Sequence, residues 1–190
     1  MIFRFLVILL TILPLKSLAL IEVDITRGNL NPLPMAVSPL SMDKSSKKEF
    51  KDILNQDDLG SKISEIVENN LKQSGLFNPL DKDAFLQKPD IAHLKPRFED
   101  WALIKAQALI TGKVTYADEK LRVEFRLWDV LAAKEIMALA FTTVPSNWRR
   151  VGHIITDKVY ERLTGEKGYF DTRVIYVAEE GPKTKRIKKL

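Results

Sequence analysis

The chain of 190 residues contains no cysteine, so neither a disulfide framework nor a thiolate metal site is open to it, and its stability must come from a packed core. Histidine is nearly as scarce: His93 and His153 are too few for a typical zinc site. Catalytic signatures are missing as well. There is no G-x-S-x-G elbow, no H-E-x-x-H pair, no Walker loop and no G-x-G-x-x-G turn. No internal repeat is visible, and past the first twenty residues no apolar run is long enough to span a bilayer. With 45% hydrophobic and 29% charged residues, the composition is that of an ordinary globular protein and argues against bulk disorder.

An excess of one charge also disappears when it is divided along the chain. The formal net charge of +5 is concentrated at the ends. Arg4 and Lys16 lie in the first nineteen residues, and Lys183, Lys185, Arg186, Lys188 and Lys189 in the last ten, with no acid in either stretch. Removing these two and five from 30 basic and 25 acidic residues leaves 23 against 25 over residues 20–180. A basic face spread over the fold is therefore unsupported, and nucleic acid is not an expected partner. The basic tail fits either contact with anionic lipid or acidic partners, or a plain solvated end.

What is present begins with the N-terminus. Arg4 precedes an almost wholly apolar run from Phe5 to Leu15, and Ser17-Leu18-Ala19 puts small residues where a signal peptidase reads. Eleven helical residues reach only about 16 Å, short of the roughly 30 Å of a hydrocarbon core. Residues 1–19 are therefore read as a signal peptide cut between Ala19 and Leu20. The mature protein is expected outside the cytoplasm, with no integral membrane segment.

The mature chain opens with Ile21, Val23 and Ile25 alternating with Glu22 and Asp24, closed by Gly28-Asn29. That pattern fits an edge strand of its own domain or an extended segment awaiting a partner. Pro32 and Pro34 lead into Met35-Ala36-Val37, a first core strand, and residues 41–49 are read as a surface loop. Asp57 or Asp58 caps a helix whose apolar face is Leu59, Ile63, Ile66, Val67 and Leu71, stopped at Ser74-Gly75. Leu76 to Leu80 suggests a short strand, Pro89 and Pro96 bracket a loop, and Phe98 to Ala106 a short helix. Ala108 to Val114, then Leu121 to Trp128, then Glu135 to Val144 read as strands, the second with strict period-two alternation. Pro145-Ser146 starts a last helix that Thr164-Gly165 stops, and Phe170 to Ala178 is expected to be one more strand. The fold class is α/β of the α+β-like kind: a mixed sheet of about five strands covered by two or three helices.

Several fragments imitate functional motifs. Gly165-Glu166-Lys167-Gly168 looks like a phosphate loop but follows a helix, whereas such a loop must precede one. Asp81-Lys82-Asp83 begins like a calcium loop, yet its sixth and twelfth positions are Leu86 and Ala92, so it reads as a turn. His153 stands four residues before Asp157, a spacing that serves a structural bond or the base of a periplasmic hydrolase or ligand-binding domain. Trp101, Trp128 and Trp148 fit core positions or an aromatic ligand cluster.

One stretch is more specific than any of these. Trp148-Arg149-Arg150, His153, Asp157 and Tyr160-Glu161-Arg162-Leu163-Thr164-Gly165 resemble the final helix of the TolB family's N-terminal domain. The run from Gly165 to Val177 resembles that family's passage into its β-propeller, and Leu71 to Leu80 the segment after its first long helix. Gly28, Pro34 and Pro39 also fall where the family has them. The resemblance covers residues 20–177.

It implies a periplasmic, non-enzymatic component of the Tol–Pal envelope system, without cofactor or metal. Such a component supports outer-membrane integrity and constriction at cell division, and in the family it is linked to colicin-type import. It further implies that Leu20, Ile21, Glu22, Val23, Asp24, Ile25, Thr26, Arg27, Gly28, Asn29, Leu30 and Asn31 bind a TolA-like inner-membrane protein when released. The lipoprotein Pal binds chiefly the propeller. The expected division is residues 1–19 signal, 20–34 partner-binding segment and linker, 35–165 the α/β domain, and 166–190 a linker with the truncated start of a propeller. A lone first propeller strand cannot pair its edges, so residues 171–190 are expected to be loosely held or docked non-natively.

Overall fold

The sheet is organised by its longest strands. In a computed structural model describing residues 21, 31–173, 177–182 and 185–189, β4 (Ala108–Ala117) and β5 (Lys120–Asp129) pair antiparallel over their whole length. The turn between them is only Asp118-Glu119, both in the left-handed region (φ 51° and 57°), as a two-residue hairpin with right-handed strand twist requires. β6 (Lys134–Thr143) returns antiparallel along β5, with one register shift at Leu127/Trp128. The alternation seen in the sequence is the pleat itself. Leu121, Val123, Phe125 and Leu127 are buried on one face, while Arg122, Glu124 and Arg126 emerge on the other.

On the far side of β4 the sheet turns parallel. β1 (Leu33–Val37) pairs with Ala108–Ile110, β2 (Ser41–Met42) continues the ladder at Lys113–Val114, and β3 (Phe77–Pro79) adds parallel to β1. The strand order is β3-β1-β4-β5-β6, with β2 beside β4. The edges among the described residues are therefore β3 and β6.

Three helices cover one face. α1 (Lys44–Leu54), α2 (Leu59–Gln73) and α5 (Trp148–Thr164) enclose the main core with Met35, Val37, Ile110, Val123 and Phe125. Asp58 caps α2 by accepting from Ser61 N–H, and Gly75, at φ +73°, turns the chain away after its end. Gly60 has to be glycine because a Cβ there would collide with the Leu40 carbonyl oxygen. α2 and α5 meet where Gly152 sits against Ile66, close enough that a methyl group would overlap it.

The other face is covered over only part of its width. A 3₁₀ turn (Lys82–Ala84), α3 (Pro89–Ala92) and α4 (Phe98–Leu103) lay Trp101, Ala92 and Phe85 against Ala36, Leu109 and Trp128. Buried Gln87 organises this excursion. Its Oε1 accepts from Trp101 Nε1 (3.1 Å) and from Arg97 N–H (3.0 Å), so the indole in the second core is not left unpaired.

Three sequence expectations are corrected. Residues 41–49 are not a surface loop: Ser41 and Met42 form β2, and α1 starts at Lys44, capped by Asp43 accepting from Ser46 N–H at 2.8 Å. The helix hides in the sequence because its burial rests on Ser46 and Phe50, Ser46 Oγ accepting from Tyr116 N–H on β4. The segment between Pro89 and Pro96 contains the short helix α3, with Pro89 in its first turn. Phe170 to Ala178 is not a strand from its start. Residues 170–173 are irregular, and the pairing is a separate hairpin of β7 (Ala178–Glu180) with β8 (Ile187–Lys189).

Candidate interaction surfaces

The N-terminal segment reaches the domain at two described points. Ile21 is half-buried against the main core, and Asn31 is exposed just before β1, whose Leu33 N–H donates to the Leu76 carbonyl (2.8 Å). Ala19, Leu20 and Glu22 through Leu30 lie outside the described residues, as does the proposed signal peptide.

The structure does not join His153 to Asp157. His153 Nδ1 lies 2.9 Å from Asn70 Nδ2, which also donates to Thr156 Oγ1 at 3.1 Å. The histidine is thereby the acceptor in a bond that ties α5 to α2. Asp157 spends both oxygens elsewhere: Oδ1 accepts from Phe170 N–H (2.7 Å) and Oδ2 from Asp171 N–H (3.0 Å). Each of the two side chains is thus engaged in holding backbone or helix packing, and neither bonds to the other among the described residues.

The other imitative motifs also resolve into structure. Gly165, at φ +75°, ends α5, and Gly168 lies under Asp157 where a side chain would strike the aspartate. Asp81 Oδ1 accepts from Asp83 N–H as a turn does, while Lys82 pairs with Glu68 at 2.9 Å. Among the described residues, no group of three or more His, Asp or Glu is placed to hold a metal ion. Trp101 and Trp128 share the second core, while Trp148 belongs to the main core, so the three do not form one cluster. Trp128 donates to Thr111 Oγ1 (2.9 Å), and Trp148 is buried under Arg149, whose guanidinium carbon is 4.3 Å from the ring centroid.

A strap that the sequence did not announce holds the segment leaving α5. Besides the two Asp157 bonds, Arg150 grips the Asp171 carboxylate through Nε and one terminal nitrogen (3.1–3.2 Å). That pairing raises the Arg150 pKa further. Tyr169 and Phe170 stack on each other (4.4 Å) and both meet Tyr160 edge-on, which in turn touches Phe77 on β3. Burial in this cluster pushes the Tyr160 hydroxyl up, with Tyr169 and Glu166 adding to it. The only sequence signal was an acid on α5 facing a glycine followed by two aromatics. The basic tail, in turn, is folded back: Arg186 and Lys188 both reach Glu179 across the β7–β8 hairpin.

β6 is an edge of the sheet that no other described strand pairs with. From Ile136 to Thr143 it bears no charge, and Leu139 is 38% exposed. Small recesses flank it on both faces. One of about 200 Å³ is lined by Phe141, Thr143, Asn147, Val151 and Ile154, and one of about 190 Å³ by Glu124, Arg126, Ala138 and Ala140. On the outer face Arg122 holds Glu124 at 2.9 Å, which keeps the Glu124 carboxyl below its usual range. Among the described residues no helix is long and apolar enough to cross a membrane.

Three helices on one face of a mixed six-stranded sheet, with a short helical excursion on the other, define a small mixed α/β domain. Residues 21–136 match the TolB amino-terminal domain, and the chain belongs to that family. It is 82% identical, over all 190 residues, to the Tol-Pal system protein TolB of Pelagibacter ubique (strain HTCC1062), of which it covers 43%. The crystal structure of TolB from Acinetobacter baumannii shares the fold, with a TM-score of 0.60 and 22% identity, over 83% of this chain and 35% of that one. The chain thus spans less than half the length of these relatives.

Proposed function

We propose that the chain is an exported, periplasmic component of the Tol–Pal system that works by touching other proteins and not by catalysis. The likeness to Tol-Pal system protein TolB carries this reading. In it, residues 1–19 direct export, Leu20 to Asn31 bind a TolA-like inner-membrane protein, residues 35–165 form the supporting domain, and residues 166–190 lead toward a propeller. Pal binding belongs to a form that carries the propeller. The system-level role is outer-membrane integrity and constriction during division, with colicin-type import as a further family link.

Two observations support the reading. The Ile21, Val23, Ile25 alternation suits an extended segment that adds to a partner's sheet, and Ile21 lies at the rim of the core, where such a segment can be exchanged between its own domain and a partner. The alternative of a hydrolase using His153 and Asp157 gains no support, since Asn70 and the backbone of residues 170–171 occupy those groups.

The test is titration calorimetry of the mature chain against the periplasmic part of a TolA-like protein. Deleting residues 20–31 is expected to abolish binding while urea unfolding still reports a cooperative core. Unchanged binding by the deleted form would sink the assignment of that segment. His153→Ala is expected to leave binding intact, and mass spectrometry of the exported protein is expected to find Leu20 as its first residue.

A further inference from the structure

Natural sheets protect their edges with charges, proline, bulges or brevity. β3 has two of these, being three residues long and containing Pro79. β6 has charges at Lys134 and Glu135 and a register irregularity at Ile136, the residue left between the Leu127–Met137 and Trp128–Glu135 pairs, but none of these devices from Met137 to Thr143. A ten-residue ladder of outward backbone groups is thus unpaired among the described residues.

Its two faces ask for different side chains. Toward the helices, Met137, Leu139 and Phe141 form an apolar row ending in the recess beside Val151 and Ile154. On the outer face, β6 offers only Ala138, Ala140 and Thr142 opposite Arg126, Glu124 and Arg122 of β5. These small residues leave the long β5 side chains reachable from one strand further out, about 10 Å away at ordinary strand spacing. That face carries Lys113, Lys120, Arg122 and Arg126 against Asp43, Glu124 and Glu135: Lys113 faces Asp43 at 3.9 Å and Arg126 holds Glu135 at 3.2 Å while reaching the His93 carbonyl, so one positive charge is left in excess. Of the Arg122 guanidinium, only Nε is bonded to Glu124.

We propose that β6 is a docking edge for an extended partner segment, added as a further strand, in which apolar residues alternate with acidic ones. Backbone pairing along β6 supplies the attraction. The apolar residues lie over Met137, Leu139 and Phe141, and the carboxylates lie outward toward Arg122 and Arg126.

The experiment uses the mature full chain and fluorescent N-acetylated peptides of about ten residues, the length of a strand that covers β6. One alternates valine with glutamate, one valine with lysine, and one is the glutamate peptide with a central proline. The valine–glutamate peptide is expected to bind and to slow amide exchange of residues 136–143, with the other two about tenfold weaker or worse. Arg122→Glu, checked for unchanged melting, is expected to reverse the preference between glutamate and lysine peptides. Equal binding of all three peptides, no binding, or binding without slowed exchange along β6 overturns the proposal. So does concentration-dependent self-association in sedimentation that Leu139→Glu removes, because the occupant is then a second copy of the chain.

Discussion

The two edges of this sheet are built on opposite plans. β3 is three residues long, contains a proline, and buries Phe77 (2% exposed) beneath Tyr160, where the strap from α5 also lands. β6 is ten residues long, uncharged over most of its length, and keeps Leu139 half in solvent. One edge is closed by hydrophobic packing and the other is left as an open ladder. The difference shows that edge protection here is local. The side bearing the strap is locked, while β6 on the far side is left without a further strand among the described residues.

The comparison can be broken most severely at Phe77. Phe77→Ala removes a fully buried ring shared by β3 and Tyr160, and urea unfolding should show a loss of about 3–4 kcal/mol. Asp157→Ala should cost about 2 kcal/mol, because two backbone N–H groups lose a charged acceptor. Amide exchange at Phe170 and Asp171 should accelerate while β6 is unaffected. Leu139→Ala on the open edge should cost less than about 1 kcal/mol, since much of that side chain is already hydrated. A loss at Leu139 as large as that at Phe77 would erase the distinction between the edges.

The smallest expected effect is a titration. Glu124, beside β6, is held below its usual value of 4.5, first by the Arg122 hydrogen bond. A depressed carboxylate adds stability that is complete above the unfolded value and fades as pH falls through the folded one. Stability should therefore decline below about pH 4.5, and Glu124→Gln should flatten that decline. The group is substantially exposed, so the slope is small and is best read by comparing the two proteins' urea midpoints across the acid range.

Much of the fold was legible because its periodic signals agree with its burial. The β5 alternation gave the correct inward face, and the apolar spacing of α2 and the Gly165 stop of α5 placed both helices. α1 was illegible because a helix resting on Ser46 and Phe50 has almost no apolar stripe. The second core depends on Gln87 bonding to Trp101 across fourteen positions, a contact no local pattern encodes. Phe170 to Ala178 looked like a strand from its β-branched and aromatic residues. Asp157 had already taken the N–H groups of Phe170 and Asp171, and Tyr160 the rings of Tyr169 and Phe170. The role proposed for Leu20 to Asn31 was never in the spacing alone. It came from likeness to a family, and from nothing shorter than whole motifs.

The grip of Arg150 and Asp157 on residues 170 and 171 has a mechanical side. These clasps start nearly two helical turns apart along α5 and converge on the adjacent residues Phe170 and Asp171, so two positions on the helix hold one short stretch of chain. Any tilt of that helix against α2, at the Asn70 and Gly152 seam, is then carried into the direction in which the chain leaves. The last helix acts as a tiller, with the outgoing polypeptide fastened to its shaft.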